Sequence, residues 1–264
     1  MTKKLFKDRD DFWRLICGII AILGFLLIWH FGTNGTRLGE IMPGPIVILK
    51  SFFEAFTQKT AGYTIFGHTF WSLSRVLVGY SVACILGISL GLLMGRYRLA
   101  EAIFRPFYEM IRPIPPIAWI SLAILWFGLG ETMAYFIIFL SAFNNITINV
   151  FMGTKSINQE LVGCAKMLGA NEAQVFRTVV IPATIPYIFA GMQIGISSSW
   201  AAVVAAEMVR SSKGLGFLIV SGMDINNISQ IFVGILAIGI VGFLLATIMR
   251  GVEGKLCQWN VRGK

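Results

Sequence analysis

Six long stretches of this sequence carry no charged residue, and they restrict its possible folds more than any other feature. A helix needs about 20 apolar residues to cross the hydrocarbon core of a bilayer, within a range of roughly 17–25. The stretches are Leu15–Phe31, Val76–Met94, Ile114–Leu129, Thr132–Met152, Ala183–Ala206 and Ile231–Met249. The pattern predicts an all-α polytopic membrane protein with six transmembrane helices.

Composition and the placement of charge support a membrane protein. Hydrophobic residues make up 56% of the 264 residues and charged residues 13%, whereas a soluble domain is roughly a quarter charged. The net charge of +9 could suggest a nucleic-acid partner. However, the basic residues form short clusters between apolar runs instead of one solvated face, and membrane topology explains that arrangement better.

The distribution of Lys and Arg predicts the orientation. Sixteen Lys and Arg residues lie in the N-terminal segment, the second and fourth connections and the tail, whereas five lie in the other connections. Arg112 is counted here in the second connection. Positive residues favour the cytoplasm. We therefore expect residues 1–14 and the tail 251–264 to be cytoplasmic, flanking a membrane domain at 15–250.

The third stretch is the shortest, and it opens on a cluster of prolines. The residues Arg112-Pro113-Ile114-Pro115-Pro116 precede its apolar part. Proline removes a backbone donor and biases the residue before it away from helix. We expect a broken or re-entrant entry into the membrane here.

Small residues recur at every fourth position in the second and fifth stretches. Such spacing lets helix backbones approach closely in lipid, whether within one chain or between two copies. The two series are Gly87, Gly91, Gly95 and Gly191, Gly195, Ser199.

The connection at 156–182 has the pattern of two short helices with a break between them. Leu161, Ala165 and Leu168 fall at helical spacing, as do Val175 and Val179, and the sequence Gly-Ala-Asn interrupts them. Pro182 marks the entry to the fifth membrane helix. An element of this kind can dock into a groove on a partner and pass a displacement to the adjoining spans.

This segment resembles the coupling-helix motif of binding-protein-dependent ABC importer permeases. Gly169, Ile181 and Pro182 match that motif at its spacing, and Ala165 matches its last alanine. Gly163 and Cys164 depart from its glutamate and first alanine. The resemblance implies that this segment contacts an ATPase, through Gly163, Cys164, Ala165, Leu168, Gly169, Ala170, Phe176 and Pro182.

The chain from His68 to Trp259 is similar to the nitrate, taurine, alkanesulfonate and bicarbonate group of these permeases. The similarity is carried by the segments 72–79 (SLSRVLVG), 112–130 (RPIPPIAWISLAILWFGLG), 186–191 (PYIFAG), 206–208 (AEM) and 214–216 (GLG). It implies a homodimer in a bacterial inner membrane, two ATP-binding subunits and an extracytoplasmic substrate-binding protein. It also implies alternating access for a small solute such as a sulfonate, nitrate or a related anion. An aromatic acid or a vitamin precursor is an alternative solute.

No catalytic, cofactor or metal site is expected in this chain. The Walker A pattern GxxxxGK[ST] does not occur in the sequence, so ATP and Mg would be bound by partner subunits. An intramembrane enzyme needs clustered His, Asp or Glu at membrane depth, and the last four stretches contain none. An ATP-independent channel needs a continuous polar stripe or charged ring, which no stretch shows.

Polar residues within the spans are candidates for the translocation path. Polar side chains that face lipid are costly, so they are expected to face a cavity or one another. The same amides could instead tie helices together, the serines could bond their own helix, and Arg75 could either attract an anion or pair with Glu207. The candidates are Arg75, Asn144, Asn145, Asn149, Gln193 and Ser197.

Overall fold

A computed structural model describes the backbone of residues 2–256, with side chains at positions 2–11, 15, 38, 40 and 210 left undescribed. Within that range every regular element is helical, and the predicted all-α polytopic class is confirmed. The α-helices are α1 Thr2–Thr33, α2 Arg37–Ile41, α3 Pro45–Glu54, α4 Ile65–Arg96, α5 Arg98–Ile111, α6 Ile120–Phe127, α7 Glu131–Lys155, α8 Gln159–Met167, α9 Glu172–Val175, α10 Ile181–Arg210, α11 Leu215–Asp224 and α12 Ile228–Leu256.

Five of the described helical segments are long and apolar enough to cross a membrane. They correspond to five of the six predicted stretches, but two extend well beyond them. Helix α4 begins at Ile65, well before the apolar run at Val76. The span that contains α10 begins at Glu172 and continues without a break to Val209.

Pro182 marks the start of α10, as predicted, but α10 is continuous with the helix before it. A π turn over Phe176–Val180 joins α9 to α10, and Pro182 lies just after it in the first turn of α10. The wider turn accommodates a residue that has no backbone donor, so the helix continues through the proline.

The remaining span, which is the third in chain order, is broken. Helices α5 and α6 meet at an angle of 86°, with a 3₁₀ turn at Pro116–Trp119 between them. At one end, Glu101 Oε2 of α5 lies 2.5 Å from Lys155 Nζ at the last residue of α7. At the other end, Ala123 of α6 and Ala134 in the first turn of α7 belong to one buried apolar cluster. The pair thus runs the full length of α7 in the opposite direction, which makes it a crossing instead of a re-entrant loop.

The sequence pattern placed Arg112, the residue at the break, in the connection between the second and third spans, and the structure differs. Arg112 follows α5 directly, and Tyr108 Oη, one helical turn earlier, donates to Asn144 O of α7 at 2.6 Å. Asn144 is at the middle of α7. Arg112 therefore lies near mid-span and not in a connection outside the membrane, because the break occurs halfway along the third span.

Helix α7 is the centre of the bundle, and glycines bring two helices against it. A Cβ on Gly91 of α4 would lie 2.7 Å from Val150 Cβ, and Gly95 similarly faces Thr154. Gly191 and Gly195 of α10 both face Ile146. The predicted close packing is confirmed, and both glycine series make their contacts within the chain.

Candidate functional site

The break in the third span borders a cavity of about 530 Å³. Residues 112–117 form one wall, and the middle parts of α7 and α10 form the others. Its polar lining consists of Ser141, Asn144 and Asn145 from α7 and Ser198 from α10. Among the described residues that line this cavity, Arg112 alone carries a charge.

Asn145 both lines the cavity and joins two helices. Its Nδ2 donates to Ser141 O and to Ser198 Oγ, each at 2.9 Å, which links α7 to α10. Asn144 Oδ1 is buried and accepts no hydrogen bond from the part of the chain that the structure describes. The adjacent amides therefore differ: one is held in a network, and the other has a buried acceptor with no partner among the described residues.

Three other candidates for the path lie outside this cavity. Asn149 donates to Asn145 O of its own helix at 2.8 Å, and Ser197 Oγ donates to Gln193 O at 3.1 Å. None of the three is part of the cavity wall. Consecutive helical residues are rotated by about 100°, so Ser198 reaches the cavity while Ser197 faces elsewhere.

Arg75 is buried in an ion cluster instead of facing this cavity. Its Nη1 lies 2.7 Å from Glu207 Oε1, and its Nε and Nη2 bond both oxygens of Glu131 at 2.6 and 2.7 Å. Arg75 and Glu207 are 3% and 2% exposed. With two carboxylates around one guanidinium, no positive charge remains to attract an anion, so the pairing with Glu207 is confirmed.

The same cluster holds the turn before α11 against α4. Ser72 Oγ donates to Glu207 and accepts from Leu215 N at 2.9 Å, and Gly216 N donates to Glu207 Oε2 at 2.9 Å. Glycine is required at 214, where φ is +121° and a Cβ would lie 2.3 Å from Glu207 Cδ. Glu131 was missed from the sequence because it stands just before the fourth apolar stretch, where it resembles a loop residue.

The segment between α7 and α10 has the predicted helix, break and helix. After α8, Gly169 adopts φ +85°, a left-handed conformation that glycine adopts easily. Asn171 and Gln174 then form a capping box, with bonds of 2.9 and 2.8 Å, that starts α9. Local hydrogen bonds therefore define the shape of this turn.

Large apolar side chains are exposed on this segment. Met167 is 83% exposed and Leu168 is 89% exposed. Below them, Glu172 pairs with Lys166 at 2.5 Å and also with Arg96 of α4. The segment is thus fixed to the bundle on its polar side and presents apolar groups on the other.

The remaining residues predicted for this segment surround the same turn. Gly163 and Cys164 are exposed on α8, Ala165, Ala170 and Phe176 are half-buried, and Pro182 is exposed. A Cβ on Gly163 would meet nothing within 4 Å. These side chains offer a surface for docking and no group suited to acid–base or nucleophilic chemistry.

The chain matches a known protein family over most of its length. Residues 85–256 match the family described as binding-protein-dependent transport system inner membrane component.

Curated relatives cover nearly the whole chain. The nitrate import permease protein NrtB of Synechocystis sp. is 35% identical, over 88% of this chain and 86% of the relative. The taurine transport system permease protein TauC of Escherichia coli is 32% identical over 93% and 90%. The bicarbonate transport system permease protein CmpB of Synechococcus elongatus is 37% identical over 91% and 89%.

A solved structure has the same fold. A chain of the inward-facing MetNI methionine ABC transporter aligns with a TM-score of 0.61 at 18% identity, covering 73% of this chain and 96% of that one.

Proposed function

The chain belongs to the family of binding-protein-dependent transport system inner membrane components, as an ABC importer permease of the nitrate, taurine and bicarbonate type, and we propose that it carries a small anion by alternating access. Two copies would form the pathway. Two ATP-binding subunits would bind ATP and Mg²⁺ and hydrolyse the nucleotide, and an extracytoplasmic substrate-binding protein would deliver the solute. This chain would bind no cofactor.

The exposed apolar turn after α8 is the observation that carries this proposal. Burying a leucine side chain is worth about 1.5–3 kcal/mol, and Leu168 and Met167 leave most of their surface uncovered. Two such groups on a turn defined by its own capping box suit a preformed cleft on another protein. The ATP-binding subunit is the partner that supplies such a cleft.

One continuous helix leads from this turn to the cavity. A displacement of α8 would pass through the Gly169 turn and α9 into α10, because Glu172–Val209 is one uninterrupted helical span. Helix α10 carries Ser198 on the cavity wall. Closure of the ATP-binding subunits would thus move one wall of the cavity, which is what alternating access requires.

The proposed orientation places the turn on the side of the ATP-binding subunits. With Arg112 moved to mid-span, the Lys and Arg count still favours the side that carries α8, and both termini would be cytoplasmic. Within the predicted N-terminal segment 1–14, the residues from Thr2 onwards belong to helix α1. Positions 257–264 of the predicted tail lie outside the described residues.

Replacement of Leu168 by serine tests the docking surface. We expect Leu168→Ser to weaken copurification of the ATP-binding subunit by at least about tenfold, from the loss of about 1.5 kcal/mol or more, and to reduce ATP-driven uptake in parallel. Leu256→Ser, at the exposed end of α12, is the control and should behave as wild type. Normal copurification and uptake by Leu168→Ser would refute the docking assignment.

A further inference from the structure

We propose that Arg112 is the residue that binds the anion in the translocation path, at the break of the third span. This inference rests on the proposed function, and it assigns the site at which the solute is recognised inside the membrane. The ligand class is a small monovalent oxyanion, or a small solute with one such group. Four observations carry the inference: depth, backbone, charge and neighbouring polar groups.

The depth of Arg112 makes its charge exceptional. The bond from Tyr108 to Asn144 O places this part of the chain at the middle of α7, and α5 and α6 continue to opposite ends of that helix. A charged side chain near the middle of a membrane protein is costly and is found where it faces a cavity or a partner. Arg112 lines a cavity.

The backbone at this position is also of the kind that forms solute sites. Pro113, Pro115 and Pro116 have no N–H groups, so the chain cannot continue as a helix through them. Irregular backbone at membrane depth is tolerated where it is buried in protein or lines a cavity. In transporters, interrupted helices near mid-depth commonly form the substrate site.

Charge pairing distinguishes Arg112 from three arginines of α4 and α5. Arg75 binds two glutamates, Arg96 binds Glu172, and Arg105 binds Glu101 and Glu109. Among the described residues no carboxylate lies within ion-pair distance of Arg112. A guanidinium in this setting is complemented by an anion from the solution, and its planar fork suits an oxyanion with two oxygens.

Polar groups near the guanidinium are uncharged. Ser141, Asn145 and Ser198 line the same cavity, and Asn144 Oδ1 accepts no bond from the described residues. Asn145 and Ser198 already donate within the bundle, so the Asn144 NH₂ group and the Ser141 hydroxyl are the ones that can donate to the remaining oxygens of a bound anion. Because one positive charge stands without a carboxylate, the site favours a singly charged group over a dianion or a neutral solute.

Transport by the assembled complex tests the assignment. The permease with its ATP-binding subunits and binding protein is placed in proteoliposomes, and ATP-driven uptake of ¹⁵N-nitrate, ¹⁴C-bicarbonate and ¹⁴C-taurine is measured. Losing a hydrogen bond to a charged group amounts to about tenfold or more in affinity, so uptake by Arg112→Gln at subsaturating solute should fall by about that factor. Arg112→Lys should keep a substantial part of the rate, and Arg250→Gln, an exposed arginine of α12, all of it.

Restoring the charge chemically excludes a purely structural effect. Arg112→Cys is made in a background with all four native cysteines replaced by alanine, whose own uptake is the reference, and is treated with an aminoethyl or a sulfonatoethyl methanethiosulfonate. The first adds a positive charge and should restore uptake, whereas the second adds a negative charge and should not. Equal restoration by both reagents, or full uptake by Arg112→Gln, would overturn the assignment. If the wild-type complex transported none of the three probes, the proposed anion transport itself would fail, and this inference with it.

Discussion

Glu207 provides the sharpest stability prediction, because every group that contacts its carboxylate is a donor. Oε1 accepts from Ser72 and Arg75, and Oε2 accepts from Ser72 and from Gly216 N. In Glu207→Gln, one oxygen becomes an NH₂ group that can only donate. Either orientation of the amide therefore sets donor against donor, at Arg75 or at Gly216.

The size of the expected loss of stability follows from the burial of Glu207. Removing one partner of a buried ion pair destabilises a protein by about 3–5 kcal/mol. At about 2–4 °C per kcal/mol for a chain of this size, the midpoint of thermal unfolding should fall by about 6–20 °C. Glu131 also binds Arg75, but its side chain is 40% exposed, so Glu131→Gln should cost much less because water screens the pair.

The assay is thermal unfolding of the purified permease in detergent, followed by the emission of its tryptophans. The two glutamate-to-glutamine variants form a matched pair, since each removes one carboxylate from the same guanidinium. The reasoning is refuted if Glu207→Gln unfolds within 2 °C of wild type, or if Glu131→Gln is destabilised to the same extent.

Two further predictions concern glycines. Gly91→Ala should destabilise the protein by about 1–3 kcal/mol through overpacking, because the new Cβ would lie 2.7 Å from Val150 Cβ. Gly239→Ala, with open space around it, is the control in the same unfolding assay. Equal unfolding midpoints for the two variants would contradict the packing argument. Gly169→Ala must hold φ near +85° at a cost of about 1 kcal/mol, so we expect fewer solute molecules to be carried per ATP hydrolysed than in the control Gly163→Ala. An unchanged ratio of solute carried to ATP hydrolysed would refute the requirement for this turn.

The bundle itself could be predicted from the sequence, since apolar length and glycine spacing report directly on lipid contact and helix packing. The ends of helices could not be predicted as well. Helix α4 starts at Ile65 because His68, Ser72 and Arg75 find buried partners. Those partners lie more than a hundred residues further along the chain or in another helix, and no local pattern shows them.

The candidate site was predicted in part. The amides Asn144 and Asn145 lie at the cavity, but Gln193 and Ser197 do not, because the small residues around α10 leave its orientation undefined by hydrophobic periodicity. Arg112 was placed outside the membrane since a proline-rich sequence resembles a connection. Its position depends on the 86° bend, which is set by packing against α7 and not by the local sequence.

Helix α4 is joined by arginine–glutamate pairs to α10 and to α9, which continues into α10. Arg75 meets Glu207 near one end, and Arg96 meets Glu172 near the other. Two helical segments that are linked at two separated points resist sliding past each other. The two helices should therefore move as one unit when α8 is displaced, and the chain should bend at the proline break between α5 and α6, where a wall of the cavity can tilt.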